Sequence, residues 1–143
     1  VEDNIKKLRQ LDNVMITATC TTSLYNITRF DNIIKYYNKL DLPMHCSLVQ
    51  YPEAINIQYL PNELKQKVNK EVRNTVANLS KKIKENRHNK IAKWSNYVLQ
   101  YMNNSDSNVD ALTSGSKEYI ETMDKLNGTK FLSVYPEFEE YWQ

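Results

Sequence analysis

A chain of 143 residues with 41% apolar side chains can form one folded domain with a sizeable core. Two glycines are too few for a phosphate-cradling loop, and two cysteines fall short of an iron–sulfur cluster. The 19 basic and 17 acidic residues leave a net charge of +2 with no dominant run of one sign, so a dedicated nucleic-acid binder is not expected.

The chain opens on Val1 and enters helical periodicity at once, with Ile5, Leu8 and Leu11 on one face. This reads as part of a longer chain. Residues 14–20, Val-Met-Ile-Thr-Ala-Thr-Cys, are β-branched and uncharged, which predicts a strand buried on both faces. Phe30, Ile33, Ile34 and Tyr37 then mark an amphipathic helix, with Asp31 near its positive end and Asp41-Leu42-Pro43 as its stop. Residues 44–49 form a second strand candidate. Strand, helix and strand in this order make a parallel βαβ unit.

Residues 50–61 are extended and carry a proline near each end, which predicts a loop leaving the sheet with a short edge segment around Ile55 and Ile57. Pro61 then opens a helix of about six turns whose stripe is Leu64, Val68, Val72, Val76, Leu79 and Ile83. Asn86-Arg87-His88-Asn89 is read as its interruption, and Ile91, Trp94, Val98 and Met102 as the next stripe. Residues 103–116 read as a polar surface loop containing Gly115. Tyr119, Ile120, Met123 and Leu126 mark a short helix capped by Gly128. Pro136 begins a last turn or two anchored by Phe138, Tyr141 and Trp142. The fold class is therefore α/β over residues 1–60, followed by an all-helical extension over 61–143.

No run approaches the roughly 18 apolar residues of a membrane span, and Val1-Glu2-Asp3-Asn4 is no signal peptide. Cys20 and Cys46 read as reduced thiols of a cytoplasmic protein, in the role of small buried side chains. Next to Cys46, His45 points to the opposite face of its strand, so adjacency makes no catalytic pair. The basic stretch 81–90 reads as a solvated helix end, and Tyr97 and Tyr101 as packing beside Trp94. In α/β sheets, ligands bind beyond the carboxyl ends of the strands. That rule selects Thr22, Ser23, Tyr25 and Asn26 after the first strand, and Gln50, Tyr51 and Pro52 after the second. Hydroxyls, amides and a phenol without an acid–base pair suit holding a ligand rather than transforming it.

Three passages carry a family resemblance. They are Cys20-Thr21-Thr22-Ser23-Leu24-Tyr25-Asn26-Ile27, the stretch 48–61 with Gln50-Tyr51-Pro52 and Leu60-Pro61, and Met123-Asp124-Lys125-Leu126-Asn127-Gly128 followed by Tyr135-Pro136-Glu137-Phe138. In this order they resemble the C-terminal part of a radical S-adenosylmethionine protein of the Twitch-domain type, common in phage and marine bacterial genomes. Abundant Lys, Asn, Ile and Tyr fit an AT-rich genome of that kind. Gln50 stands where the family has His, and Asn127 where it has Arg.

The resemblance implies the last strands of a partial (β/α) barrel, with Thr22, Ser23, Asn26, Gln50 and Tyr51 walling a pocket for S-adenosylmethionine and substrate. It implies a four-iron four-sulfur cluster for the parent protein. The Cys-x-x-x-Cys-x-x-Cys loop that holds such a cluster is not in this chain, which should be inert alone. The expected partner is the N-terminal half of the parent chain or a second copy, with a small molecule or peptide as substrate. A stand-alone α/β binding protein without catalytic activity is the other reading.

Overall fold

The computed structural model describes residues 1–104 and 111–142. Two parallel strands form its sheet, β1 (Ala18–Thr22) and β2 (Met44–Leu48). Helix α1 (Glu2–Leu8) precedes β1, and α2 (Phe30–Lys39) crosses between the strands. The helical part comprises α3 (Asn62–Ser80), α4 (Glu85–Asn103), α5 (Ser114–Asn127) and α6 (Phe131–Val134). The described residues are mostly helical with a parallel sheet, a mixed α/β fold.

The register pairs Ala18 with Met44, Cys20 with Cys46 and Thr22 with Leu48. The first strand thus starts later than its apolar run predicts. Val14 and Met15 lie outside it, Met15 being 85% exposed. Nor is β1 buried on both faces: Cys20 and Thr22 are buried while Thr19 and Thr21 are exposed. Pairing with a partner only five residues long fixes where β1 begins, and burial then alternates because helices cover one side. The two cysteines are direct neighbours in the middle of the strands.

Helix α2 buries Phe30 and Ile34 and half-buries Ile33 and Tyr37, as its spacing predicts. It lies over the covered face, with Tyr37 near enough to both thiols to interact electrostatically. Helix α3 packs on α2 and on α4, and α4 runs against β2. Helix α1 stops at Leu8, so of its expected stripe only Ile5 is buried, while Leu8 and Leu11 are exposed.

The segment after β2 forms two 3-10 turns, Glu53–Ile55 and Ile57–Tyr59, in place of the expected edge segment. The Asn56 side chain accepts the Gln58 N–H (2.9 Å) and tightens the second turn, while Ile55, Ile57 and Leu60 enter the core. Helix α3 ends at Ser80, leaving Ile83 in the following turn. The expected interruption at 86–89 is instead the first turns of α4. Glu85 suits that helix start, and the Arg87 and His88 N–H groups both donate to the Lys84 carbonyl (3.0 Å each).

Of the stretch predicted as a polar loop, Asn103 belongs to α4 and residues 114–116 to α5, and residues 105–110 lie outside the described residues. Thr113 caps α5 by accepting the Ser116 N–H (3.1 Å), which places Gly115 inside the helix. Gly128 ends α5 in the left-handed conformation (φ +63°), as its position predicts. Phe131, Tyr135 and Phe138 then cluster, with Phe131 and Phe138 centroids 5.1 Å apart. Phe138 and Tyr141 are buried on the closing 3-10 helix Pro136–Tyr141, and one hydrophobic core runs from Cys20 to Tyr141. Among the described residues no helix is long and apolar enough to cross a membrane.

Candidate functional site

The carboxyl ends of β1 and β2 are stitched together beyond the strands themselves. The Val49 N–H donates to the Thr22 carbonyl (3.0 Å), and the Leu24 N–H to the Ile55 carbonyl (3.0 Å). Thr22 is fully buried as the last residue of β1, its hydroxyl 3.9 Å from the Cys20 sulfur. Ser23 donates its N–H to Asn26 Oδ1 (3.0 Å) and accepts the Tyr25 N–H at Oγ (3.3 Å). Asn26 Nδ2 reaches back to the Thr21 carbonyl (2.8 Å). Ser23 and Asn26 therefore close one turn, spending their side-chain polar groups on its backbone, while the Thr22 hydroxyl faces the Cys20 sulfur.

Gln50 and Tyr51 stand apart from that turn. Both are exposed, Tyr51 to 87%, and neither side chain makes a hydrogen bond among the described residues. The Tyr51–Pro52 peptide is cis. With Glu53, Asn56, Gln58, Tyr59 and Tyr101 they line a polar depression of about 250 Å³. The five predicted residues thus share one end of the sheet but not one pocket.

Sequence reasoning missed the groups that hold this depression in shape. Buried Asn56 donates from Nδ2 to the Tyr101 hydroxyl (2.8 Å) and so ties the loop to α4. Gln58 Nε2 donates to the carbonyls of Tyr101 (3.2 Å) and Asn104 (3.0 Å). The Tyr59 hydroxyl donates to Glu53 Oε1 (2.5 Å), and that carboxylate pushes the Tyr59 phenol up. The available signal was a polar Asn between two buried isoleucines, where an apolar segment alone would leave a donor unmet.

The sheet has two unlike faces. On the covered face, burial pushes both thiols up, Cys46 to about 12 with Cys20 adding to the effect. Neither is a poised nucleophile. On the other face Thr19, Thr21, His45 and Ser47 are exposed. Ser47 and Thr21 share a hydroxyl hydrogen bond (3.1 Å), and the His45 ring lies against Trp94 with centroids 5.3 Å apart. Trp94 in turn meets Tyr97 edge to face (5.9 Å). Tyr97 and Tyr101 therefore diverge, one packing beside Trp94 and the other reaching the polar depression.

Among the described residues no three His, Cys, Asp or Glu side chains group as a metal site would require. Besides the His45 imidazole against Trp94 and the Glu53 carboxylate that accepts from the Tyr59 hydroxyl, the open face and the depression offer hydroxyls, amides and phenols. Such groups can orient a ligand by hydrogen bonding, while proton transfer needs a positioned acid or base. Comparison of the chain with protein-family models, with curated proteins and with solved structures finds no match.

Proposed function

We propose that this chain is the closing wall of a partial (β/α) barrel of the radical S-adenosylmethionine type and borders the ligand pocket without performing the chemistry. The observation that carries the reading is the asymmetry of the sheet. Two parallel strands present a covered face under α2 and a polar open face of Thr19, Thr21, His45 and Ser47. Parallel sheets are ordinarily covered on both faces, by helices outside and by further strands or ligand inside. Among the described residues β1 has β2 as its one strand neighbour, and the apolar Leu8, Leu11, Val14 and Met15 leading into it are exposed. An upstream strand of the parent chain would cover both.

The two groups implied by the resemblance fit differently. Two cysteines, both buried on the covered face, do not fit a four-iron four-sulfur cluster, and no step is assigned to one here. S-adenosylmethionine, when bound, would supply its adenosyl group to the parent enzyme's radical chemistry, and the exposed polar groups of Gln50 and Tyr51 at the carboxyl end support a place for it there. In this reading Gln50 and Tyr51 meet the ligand. Ser23 and Asn26 act behind them by fixing the turn, and Thr22 lies buried at the strand end. Reading the coding sequence upstream of Val1 tests this: an in-frame Cys-x-x-x-Cys-x-x-Cys is expected. A start codon directly before Val1 would overturn it.

The second reading, a stand-alone binding protein, has its own observation in favour. A single core runs from the strands to the closing 3-10 helix, and the Tyr141 hydroxyl donates to Glu63 Oε2 (2.9 Å) across the helical part. Its binding site would be the same depression around Gln50 and Tyr51.

A further inference from the structure

The amino end of β2 carries a second concavity, at the opposite end of the strand from Gln50 and Tyr51. It lies between the α2–β2 turn and the first turns of α4 and encloses about 270 Å³. Leu42, Met44 and Ile91 line it and are buried, giving it an apolar floor. Lys84, Arg87 and Lys90 line its rim, with Asp41 the one carboxylate among them.

Arg87 and Asp41 are spent on each other. They form an ion pair, and Arg87 Nη2 also donates to the Asn38 carbonyl (2.9 Å). Lys84 and Lys90 differ: both are exposed, and no described carboxylate pairs with either. Two uncompensated positive charges therefore stand over an apolar floor. The surroundings reinforce them. Six of the seven charged residues between positions 81 and 93 are basic, whereas the rest of the chain is net acidic. That segregation draws anions to this end of the molecule.

We propose that this cavity is a binding site for a small organic anion, with an apolar one- or two-ring body on Leu42, Met44 and Ile91 and a carboxylate or phosphate between Lys84 and Lys90. Its volume sits just below the range of about 300–1,000 Å³ usual for ligand pockets, which limits the occupant to that size. The apolar floor contributes burial, and the lysines select an anion over its neutral counterpart. The site is independent of the barrel reading, because it uses neither the carboxyl-end loops nor the open face.

Titration of the whole chain with 2-naphthoate, followed by backbone amide shifts, tests the proposal. Saturable shifts at Leu42, Met44 and Ile91 are expected. Neutral 2-naphthamide should bind at least about fivefold more weakly, and Lys84→Gln with Lys90→Gln should weaken 2-naphthoate about tenfold at low salt. Both lysines are exposed, so the double variant should stay folded. Lys67→Gln with Lys70→Gln, on exposed positions of α3, should leave the affinity unchanged. Naphthyl phosphate distinguishes the head group: tighter binding than 2-naphthoate assigns a phosphate, weaker binding a carboxylate. Absence of saturable shifts at these residues overturns the proposal. So does equal binding of the amide, or an unchanged affinity in the Lys84/Lys90 variant.

Discussion

Replacing Asn56 by Ala removes the buried side chain that, beside Gln58, joins the loop after β2 to helix α4. Two hydrogen bonds are lost, from the Gln58 N–H (2.9 Å) and to the Tyr101 hydroxyl (2.8 Å). Asn56 is buried at 6% exposure, so water does not readily replace its amide. A net hydrogen bond contributes about 1 kcal/mol, and a donor stranded without a partner costs about 1–3 kcal/mol. Tyr101 is half-buried and can turn its hydroxyl toward solvent, so the Gln58 N–H dominates the loss. The expected destabilisation is about 2–3 kcal/mol, or a fall in Tm of roughly 6–10 °C for a chain of this size. Urea unfolding followed by circular dichroism at low micromolar concentration measures it.

Tyr101→Phe should cost about 1 kcal/mol alone and much less in the Asn56→Ala background, because the two residues share one bond. A loss below about 0.5 kcal/mol for Asn56→Ala, or strictly additive losses in the double variant, would refute the assignment of Asn56 as the tie.

Phe138 is fully buried against Phe131, and Phe138→Ala should cost about 3–5 kcal/mol by chemical denaturation. Gly128→Ala forces a side chain into the left-handed region at φ +63° and should cost about 1–2 kcal/mol, with Gly128→Asn milder because Asn tolerates that conformation. Both thiols are pushed up by burial, so they should resist a disulfide reagent in the native chain at pH 8 and react fully once it unfolds. The same shifts set a pH dependence. Between the unfolded thiol value of about 8.5–9 and the folded value of about 12 for Cys46, the folded state holds the extra proton, so stability should fall as pH rises through that window. Stability independent of pH from 8 to 11 would contradict it.

Local periodicity carried the helices because their stripes lie within one segment. Phe30 and Ile34 on α2, and Leu64, Val68 and Val72 on α3, needed no distant partner to be read. β1 was displaced because its limits depend on Met44–Leu48, a partner more than twenty residues away, whereas the apolar run at 14–17 suggested a strand by composition alone. The start of α4 was misplaced because Asn86 and Asn89 read as breakers, while Glu85 and the Lys84 carbonyl supply a sound helix start.

At the site, chain position alone located Gln50 and Tyr51 beyond β2. It did not separate them from Ser23 and Asn26, because those side chains turn on their own backbone. The Asn56–Tyr101 link joins residues 45 positions apart, and nothing in either local pattern points to the other.

In the proposed barrel reading the two-stranded sheet would be completed by an upstream segment or a second copy. Sedimentation velocity on the chain across a wide concentration range tests it most directly. With the outer edge of β1 uncovered and Leu8, Leu11, Val14 and Met15 exposed, concentration-dependent self-association is expected. A chain that stays monomeric at hundreds of micromolar, and unfolds in one sharp cooperative transition, would contradict the account and favour the stand-alone protein.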